Sequence, residues 1–148
     1  MNERVMFMRI QKKIDEQQLK AVCDVIADTN RGLTKTELSR LLVQCHIQLE
    51  DDGKSYNGIT YTIGLNKRDW LYNCFVNEIN QNQTFEKIFL FIEKALNPVS
   101  YTNESSRKKY NFLFEEINKV LLLVGLSVSK EGTLSEVIEA KTLDEVDR

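Results

Sequence analysis

The stretch that decides the fold is ADTNRGLTKTELSRLLVQC, residues 27–45, which predicts the end of one helix, a turn and a complete second helix. Arg31-Gly32 predicts the turn, because glycine takes a left-handed backbone conformation without steric cost. Thr34 and Glu37 match a capping box, in which each side chain accepts a hydrogen bond from the other residue's backbone amide. These signals predict a helix-turn-helix-like corner, which serves either as a structural corner or as half of a nucleic-acid-binding unit.

The helices on both sides of the turn have one apolar face each. The second helix has apolar residues at helical spacing, namely Leu38, Leu41, Leu42 and Cys45. We expect Leu41 at the middle of that buried stripe. The first helix begins at Asp15, with Gln18 completing a weaker capping box, and its stripe is Leu19, Val22, Cys23 and Ile26.

The rest of the chain predicts two hairpins and three more helices. Asn57-Gly58 is a strong two-residue hairpin signal, and Lys130-Glu131-Gly132 predicts the loop of a second hairpin. The predicted N-terminal caps of the third, fourth and fifth helices are Asn66, Thr84, and Ser105 or Ser106. We therefore expect a mainly α (α+β) fold with about five helices, a helix-turn-helix-like corner and two short β-hairpins.

Composition predicts one cytoplasmic domain that spans residues 1–148. Cys23, Cys45 and Cys74 form no CxxC pair, so we expect buried free thiols in a reducing compartment. One histidine and no acidic cluster at ligand spacing make a metal site improbable, and nothing indicates a cofactor. Residues 1–13 contain no apolar run of the length of a signal peptide, and we expect no stretch to span a membrane. The net charge of −2 gives no global basic field for duplex DNA, although a local basic patch remains compatible with it.

The end of the sequence indicates a further helix. Thr142 and Glu145 match another capping box, and Leu143 and Val146 begin an apolar stripe. Because a single helical turn is not stable alone, we expect this chain to be the N-terminal fragment of a longer protein, with the next domain starting near residue 142. A frayed terminus is the alternative.

Four segments, in this order and spacing, carry a family resemblance: VIADTNRGLTKTELSRLL, NKRDWLYNCFVNEIN, FIEKALNPVSY and INKVLLLVGLSVSKEGTLSEVIEAKTLDEV. Over residues 14–146 the chain resembles the N-terminal domain of bacterial abortive-infection proteins of the AbiJ type. The resemblance implies a downstream HEPN or Ymh-type helical domain, of which HEPN domains are commonly metal-independent ribonucleases. It also implies a role in phage defence. Residues 49–65 are longer than the family pattern, so no role is carried over to that loop.

Arg40 and His46 have the spacing of a HEPN catalytic pair, in which histidine transfers protons and arginine stabilises the phosphorane. Their context argues against catalysis, because Arg40 lies on the short capped helix and the family's nuclease site lies in the downstream domain. His46 follows the helix and is typical of a C-terminal residue favoured by the helix dipole. We therefore expect no catalytic residues in this chain.

The third helix is the best candidate for a nucleic-acid site. Lys67 and Arg68 at its start would contact phosphates, and Trp70 would stack on an unpaired base. Asparagine side chains on the same helix would read adenine edges. The alternative is that Trp70 closes the edge of the core and the asparagines are merely solvated. The candidate residues are Lys35, Lys67, Arg68, Trp70, Asn73 and Asn77.

Two functions remain open. The first is a non-catalytic module of a phage-defence protein that senses or binds nucleic acid and positions a downstream HEPN-type ribonuclease domain. The second is a scaffold that restrains the toxin domain or dimerises, without binding nucleic acid. A basic surface around Lys35, Lys67 and Arg68 would favour the first, and a broad apolar patch near residues 126–146 the second. The expected partners are nucleic acid, the toxin domain in cis or a second copy of the chain.

Overall fold

The computed structural model describes residue 10 and residues 12–51, 55–56, 59–60 and 65–137. Within these residues the fold is mainly α, as predicted, with five helices and two short hairpins. The elements are α1 (Glu16–Ile26), α2 (Lys35–Gln44), β1 (Ser55–Tyr56), β2 (Ile59–Thr60), α3 (Lys67–Asn82), α4 (Glu86–Ala95), a 3₁₀ turn (Pro98–Ser100), α5 (Glu104–Leu122), β3 (Leu126–Val128) and β4 (Leu134–Glu136). The helix predicted from residue 142 lies outside the described residues.

Helix α1 lies against both α3 and α5 and supplies the middle of the core. Its predicted stripe is buried, and α4 and α5 also bury one apolar face each. Lys20 ties α1 to α3, because its Nζ atom lies 2.6 Å from Asp24 Oδ1 and 3.1 Å from Asp69 Oδ1. The fully buried large side chains of the core include Phe75, Phe91, Ile26, Leu38, Leu42, Leu71, Ile88, Ile92, Leu113 and Ile117.

Backbone hydrogen bonds hold the corner between α1 and α2. The Leu33 amide donates to the Ile26 carbonyl at 2.8 Å, and Asp28 Oδ2 accepts from the amides of Asn30 and Arg31. The expected left-handed conformation of Gly32 is wrong, because the positive-φ glycines among the described residues are elsewhere. Glycine is needed at position 32 because an added Cβ atom would lie 2.3 Å from the Asp28 nitrogen and 2.5 Å from the Ile26 oxygen.

The buried stripe of α2 differs from the prediction at one position. Leu38 and Leu42 are completely buried and Cys45 nearly so, whereas Leu41 is only partly buried and lines a surface cleft. The centre of the stripe is therefore Leu38 and Leu42, because α4 covers that side of the helix and leaves the edge at Leu41 open. The Thr34–Glu37 capping box is confirmed, with both reciprocal hydrogen bonds present.

Two predicted helix starts were wrong. Asn103 caps α5 and forms a reciprocal box with Ser106, so neither Ser105 nor Ser106 is the cap. Asparagine is among the strongest N-cap residues, since its side-chain oxygen accepts well from the first-turn amides. In α4 the cap position is Phe85, although the predicted Thr84 still accepts a hydrogen bond from the Glu86 amide through its hydroxyl.

Both predicted hairpins are present. Tyr56 pairs with Ile59, whereas the predicted Asn57-Gly58 turn between them lies outside the described residues. The side-chain amide of Asn118 on α5 binds both the amide and the carbonyl of Val128 in β3, at 2.7 and 3.1 Å. On β4 the Leu134 amide donates to Glu93 on α4. These side chains fix the second hairpin to two helices.

The three thiols are buried, as predicted, and burial raises their pKa values: well above the ordinary value for Cys23, and to about 11 for Cys45 and Cys74. Because the thiolate is the reactive form, at pH 8 only about one thiol in a thousand at Cys45 or Cys74 is reactive even where a reagent can reach it. We expect Ellman's reagent to label no thiol in the native protein and all three in denaturant. Fast labelling of one thiol in the native protein would contradict this placement.

Candidate nucleic-acid interface

The N-terminal ends of α2 and α3 lie side by side. Lys67, the first residue of α3, donates from Nζ to the carbonyl of Leu33 at 2.8 Å. Lys35, the first residue of α2, has its Nζ atom 4.4 Å from the centroid of the Trp70 ring on α3. The structure therefore brings together Lys35 and Lys67, which the sequence predicted as parts of one basic surface with Arg68.

Two further cations join them from elsewhere in the chain. Lys109 on α5 lies 3.1 Å from Glu37 on α2, and the guanidinium of Arg31 lies 4.1 Å from the centroid of the Phe112 ring. Burial lowers the pKa of Lys67, and the nearby positive charge of Lys109 lowers it further. We call the resulting group the α2-start cluster, which consists of Arg31, Lys35, Lys67, Arg68 and Lys109.

The carboxylates nearest to this cluster already have partners. Glu37 accepts from the Thr34 amide and from Lys109. Burial acts to raise the pKa of Glu37, but these hydrogen bonds outweigh it and the pKa is lowered, so the group is ionised at neutral pH. Asp28 binds two backbone amides of the turn. Lys109 belongs to the cluster itself, so one of the five cations is paired with Glu37. The five cations still outnumber these two carboxylates, although the whole chain is slightly acidic.

Trp70 cannot make the predicted stacking contact. The residue is 2% exposed, its indole N–H donates to the carbonyl of Glu50 at 2.6 Å, and Lys35 covers the ring. A base could reach the ring only by displacing these groups. The stacking role is therefore wrong, and the alternative that Trp70 closes the edge of the core is what the structure shows. Its spacing of four residues from the buried Cys74 was the signal for this placement.

The remaining candidates on α3 lie at its surface or edge. Asn73 is exposed, whereas Asn77 and Arg68 are partly buried. The Nε atom of Arg68 is buried and has no hydrogen-bond partner, so only the outer part of its guanidinium is free for a phosphate. Nothing in the described residues brings Asn73 or Asn77 into contact with the α2-start cluster.

Two members of the cluster, Arg31 and Lys109, were not among the residues predicted from the sequence. Lys109 belongs to the basic run 107–109, but its partner Glu37 is 72 residues away in sequence. The helix begins at Glu104, so the run follows its first three residues. The density of basic residues at 107–109 was therefore the signal that the sequence offered. The contact of Lys109 with Glu37 on α2 could not be predicted from it.

The outward face of α2 continues from this cluster. Thr36, Arg40 and Gln44 are exposed polar residues at helical spacing on it. Arg40 lines a cleft between α2 and α4, whereas His46 lies beyond the helix cap with φ 62° and an exposed side chain. The carbonyl of His46 accepts from Lys87 at 3.1 Å, so this residue has a structural contact.

Two further kinds of feature, a metal-binding group of side chains and a membrane-spanning helix, were sought in the part of the chain that is described. No three histidine, cysteine, aspartate or glutamate side chains among those residues are grouped so that they could hold a metal ion. None of the helices there has the length and apolar character needed to cross a membrane.

Comparison with known proteins gives no relative: no family model, no curated protein and no solved structure matches this chain.

Proposed function

We propose that this chain is a non-catalytic module that binds nucleic acid through the α2-start cluster and the outward face of α2. The observation that carries the proposal is the convergence of basic side chains from the corner, α2, α3 and α5 on the first turn of one helix. A cluster of this kind neutralises several phosphates and releases their counterions, which is the main source of affinity for nucleic acid.

The order of the elements also supports the proposal. Helix α2 follows a short corner, and its exposed residues Thr36, Arg40 and Gln44 are types that hydrogen-bond to base edges and phosphates. The basic residues on either side would hold the backbone of the nucleic acid. Helix α2 would then be the element that contacts the bases.

The biological setting that we propose follows from the resemblance described above. In an AbiJ-type abortive-infection protein, this module would act in the cytoplasm, sense nucleic acid during phage infection and position a downstream HEPN-type ribonuclease domain. The module itself would supply binding, and the downstream domain would supply the chemistry.

The test is the salt dependence of binding to labelled single- and double-stranded oligonucleotides, measured by fluorescence anisotropy. Each lost phosphate contact should reduce the slope of log affinity against log salt by roughly 0.7–0.9. The triple variant Arg31→Gln, Lys35→Gln and Lys109→Gln should therefore flatten the slope by about 2. The charge-matched control is Lys13→Gln, Lys119→Gln and Lys130→Gln, which are exposed lysines outside the cluster.

Two results would contradict the proposal. The first is an absence of binding by the wild-type chain at low salt and high micromolar protein. The second is an equal loss of slope in both triple variants, since the control would then show that only total charge matters. Thermal melts of each variant establish that it is folded.

A scaffold function is the second candidate, and one observation favours it. Leu122 and Leu123, at the end of α5, are 54% and 78% exposed. The broad apolar patch expected for a scaffold is not found at residues 126–136, where Leu126, Val128 and Leu134 are buried in the core. A pair of exposed leucines is a small surface for a stable interface, so nucleic-acid binding is the better-supported function.

A further inference from the structure

A second feature adjoins the outward face of α2, where a cleft of about 210 Å³ opens between α2, the end of α4 and the 3₁₀ turn. Its walls combine apolar surface from Leu33 and Leu41 with the ring of Tyr101, and its rim carries Arg40 and Lys94. Pockets for drug-sized ligands occupy roughly 300–1,000 Å³. The cleft is therefore large enough for one base, and a phosphate group attached to that base would lie outside it, at the rim.

The two cations of the rim are available for an anion. Among the described residues neither Arg40 nor Lys94 takes part in an ion pair. The carboxylate that lines the cleft, Glu37, is held by Lys109 and by the Thr34 amide. Lys94 lies in the last turn of α4, where the helix dipole favours a cation, but this does not explain Arg40 on the facing helix.

The aromatic wall of the cleft is held in a fixed position. The hydroxyl of Tyr101 donates to the Ala95 carbonyl, and the Tyr101 ring packs against Tyr110 with centroids 5.3 Å apart. Tyr110 in turn stacks on Phe114. A ring that is already ordered loses little entropy when a base packs against it, which is the condition for a useful stacking platform.

We propose that this cleft binds a single nucleoside monophosphate unit, with its phosphate held by Arg40 and Lys94 and its base packed beside Tyr101. The unit is either a free nucleotide or one unstacked nucleotide of a single strand. The strand version depends on the proposed function and extends it: the α2-start cluster would hold the backbone while the cleft takes one base. Since Trp70 is buried, Tyr101 then provides the stacking contact that the sequence analysis assigned to the tryptophan.

Isothermal titration calorimetry with AMP, ribose 5-phosphate and inorganic phosphate tests whether the cleft binds a free nucleotide. AMP should bind at least fivefold more tightly than ribose 5-phosphate, because stacking of one base contributes about 1–3 kcal/mol. The variant Arg40→Gln with Lys94→Gln should weaken AMP binding tenfold or more. The control Lys13→Gln with Lys130→Gln, which removes two exposed lysines elsewhere, should change it less than twofold. Equal affinity for AMP and ribose 5-phosphate would overturn the proposal that the base packs beside Tyr101.

Fluorescence anisotropy with a labelled single strand tests whether the cleft binds one nucleotide of a longer strand. The oligonucleotide has about 12 nucleotides, a length within the usual range of single-strand sites. Loss of strand affinity in the Arg40 and Lys94 variant, with AMP competing for the strand, supports the cleft as a strand site. AMP binding without strand binding supports the cleft as a free-nucleotide site and overturns the proposed function. Strand binding that this variant leaves unchanged, in a chain that binds no AMP, overturns the cleft and leaves the proposed function standing.

Discussion

Leu42→Asp is expected to abolish the folded state. The side chain of Leu42 has no exposed surface, so a carboxylate at this position would be buried in the apolar core. Loss of the apolar side chain alone costs about 2–5 kcal/mol, and burial of an unpaired charge adds several more. The sum approaches the total stability of an ordinary domain, about 5–15 kcal/mol. Circular dichroism during a urea titration should show no cooperative unfolding transition.

Leu41→Asp is the matched control for this prediction. Leu41 immediately precedes Leu42 on the same helix, but it is only partly buried and lines the open cleft between α2 and α4. Its new carboxylate can stay hydrated near Arg40 and Lys94, so the loss should be about 1–3 kcal/mol, the ordinary range for single substitutions. If Leu41→Asp unfolds the chain while Leu42→Asp melts like the wild type, the centre of the stripe is at Leu41 after all.

Gly32→Ala is expected to be the second most damaging substitution. The new methyl group would lie 2.3 Å from the Asp28 nitrogen, 2.5 Å from the Ile26 oxygen and 2.9 Å from the Ala27 carbonyl carbon. All three are backbone atoms, so the corner itself must move. Overpacking of this kind costs about 3 kcal/mol, which corresponds to a decrease of roughly 6–12 °C in Tm for a chain of this size.

Gly125→Ala makes the same chemical change with different neighbours. There the added methyl group meets the flexible end of Lys12 at 2.8 Å, which can move away, and the remaining cost comes from the positive φ of 79°. Such a backbone costs an L-residue roughly 1–2 kcal/mol. We therefore expect a smaller decrease in Tm than for Gly32→Ala in differential scanning fluorimetry. A Gly32→Ala melt within 2 °C of the wild type would show that the corner relaxes without cost.

The sequence by itself determined the features that depend on residues close together in the chain. The Thr34–Glu37 box and the Asn66 cap are local interactions over three residues, and the paired strands of each hairpin lie close together in the sequence. The buried faces of the helices follow from a spacing of three or four residues, because one side of each helix must leave water. These signals gave the number and order of the elements correctly.

Only the tertiary structure decided which side chains remain available. From the sequence alone, Trp70 fits either the edge of the core or a stacking site. In the structure its N–H donates to the Glu50 carbonyl and Lys35 covers its ring, so it belongs to the core. Likewise, Glu37 and Lys109 are 72 residues apart, so no local pattern predicts that they meet. The physical reason is that local rules fix backbone geometry within a few residues, whereas burial and charge pairing depend on how distant elements pack together.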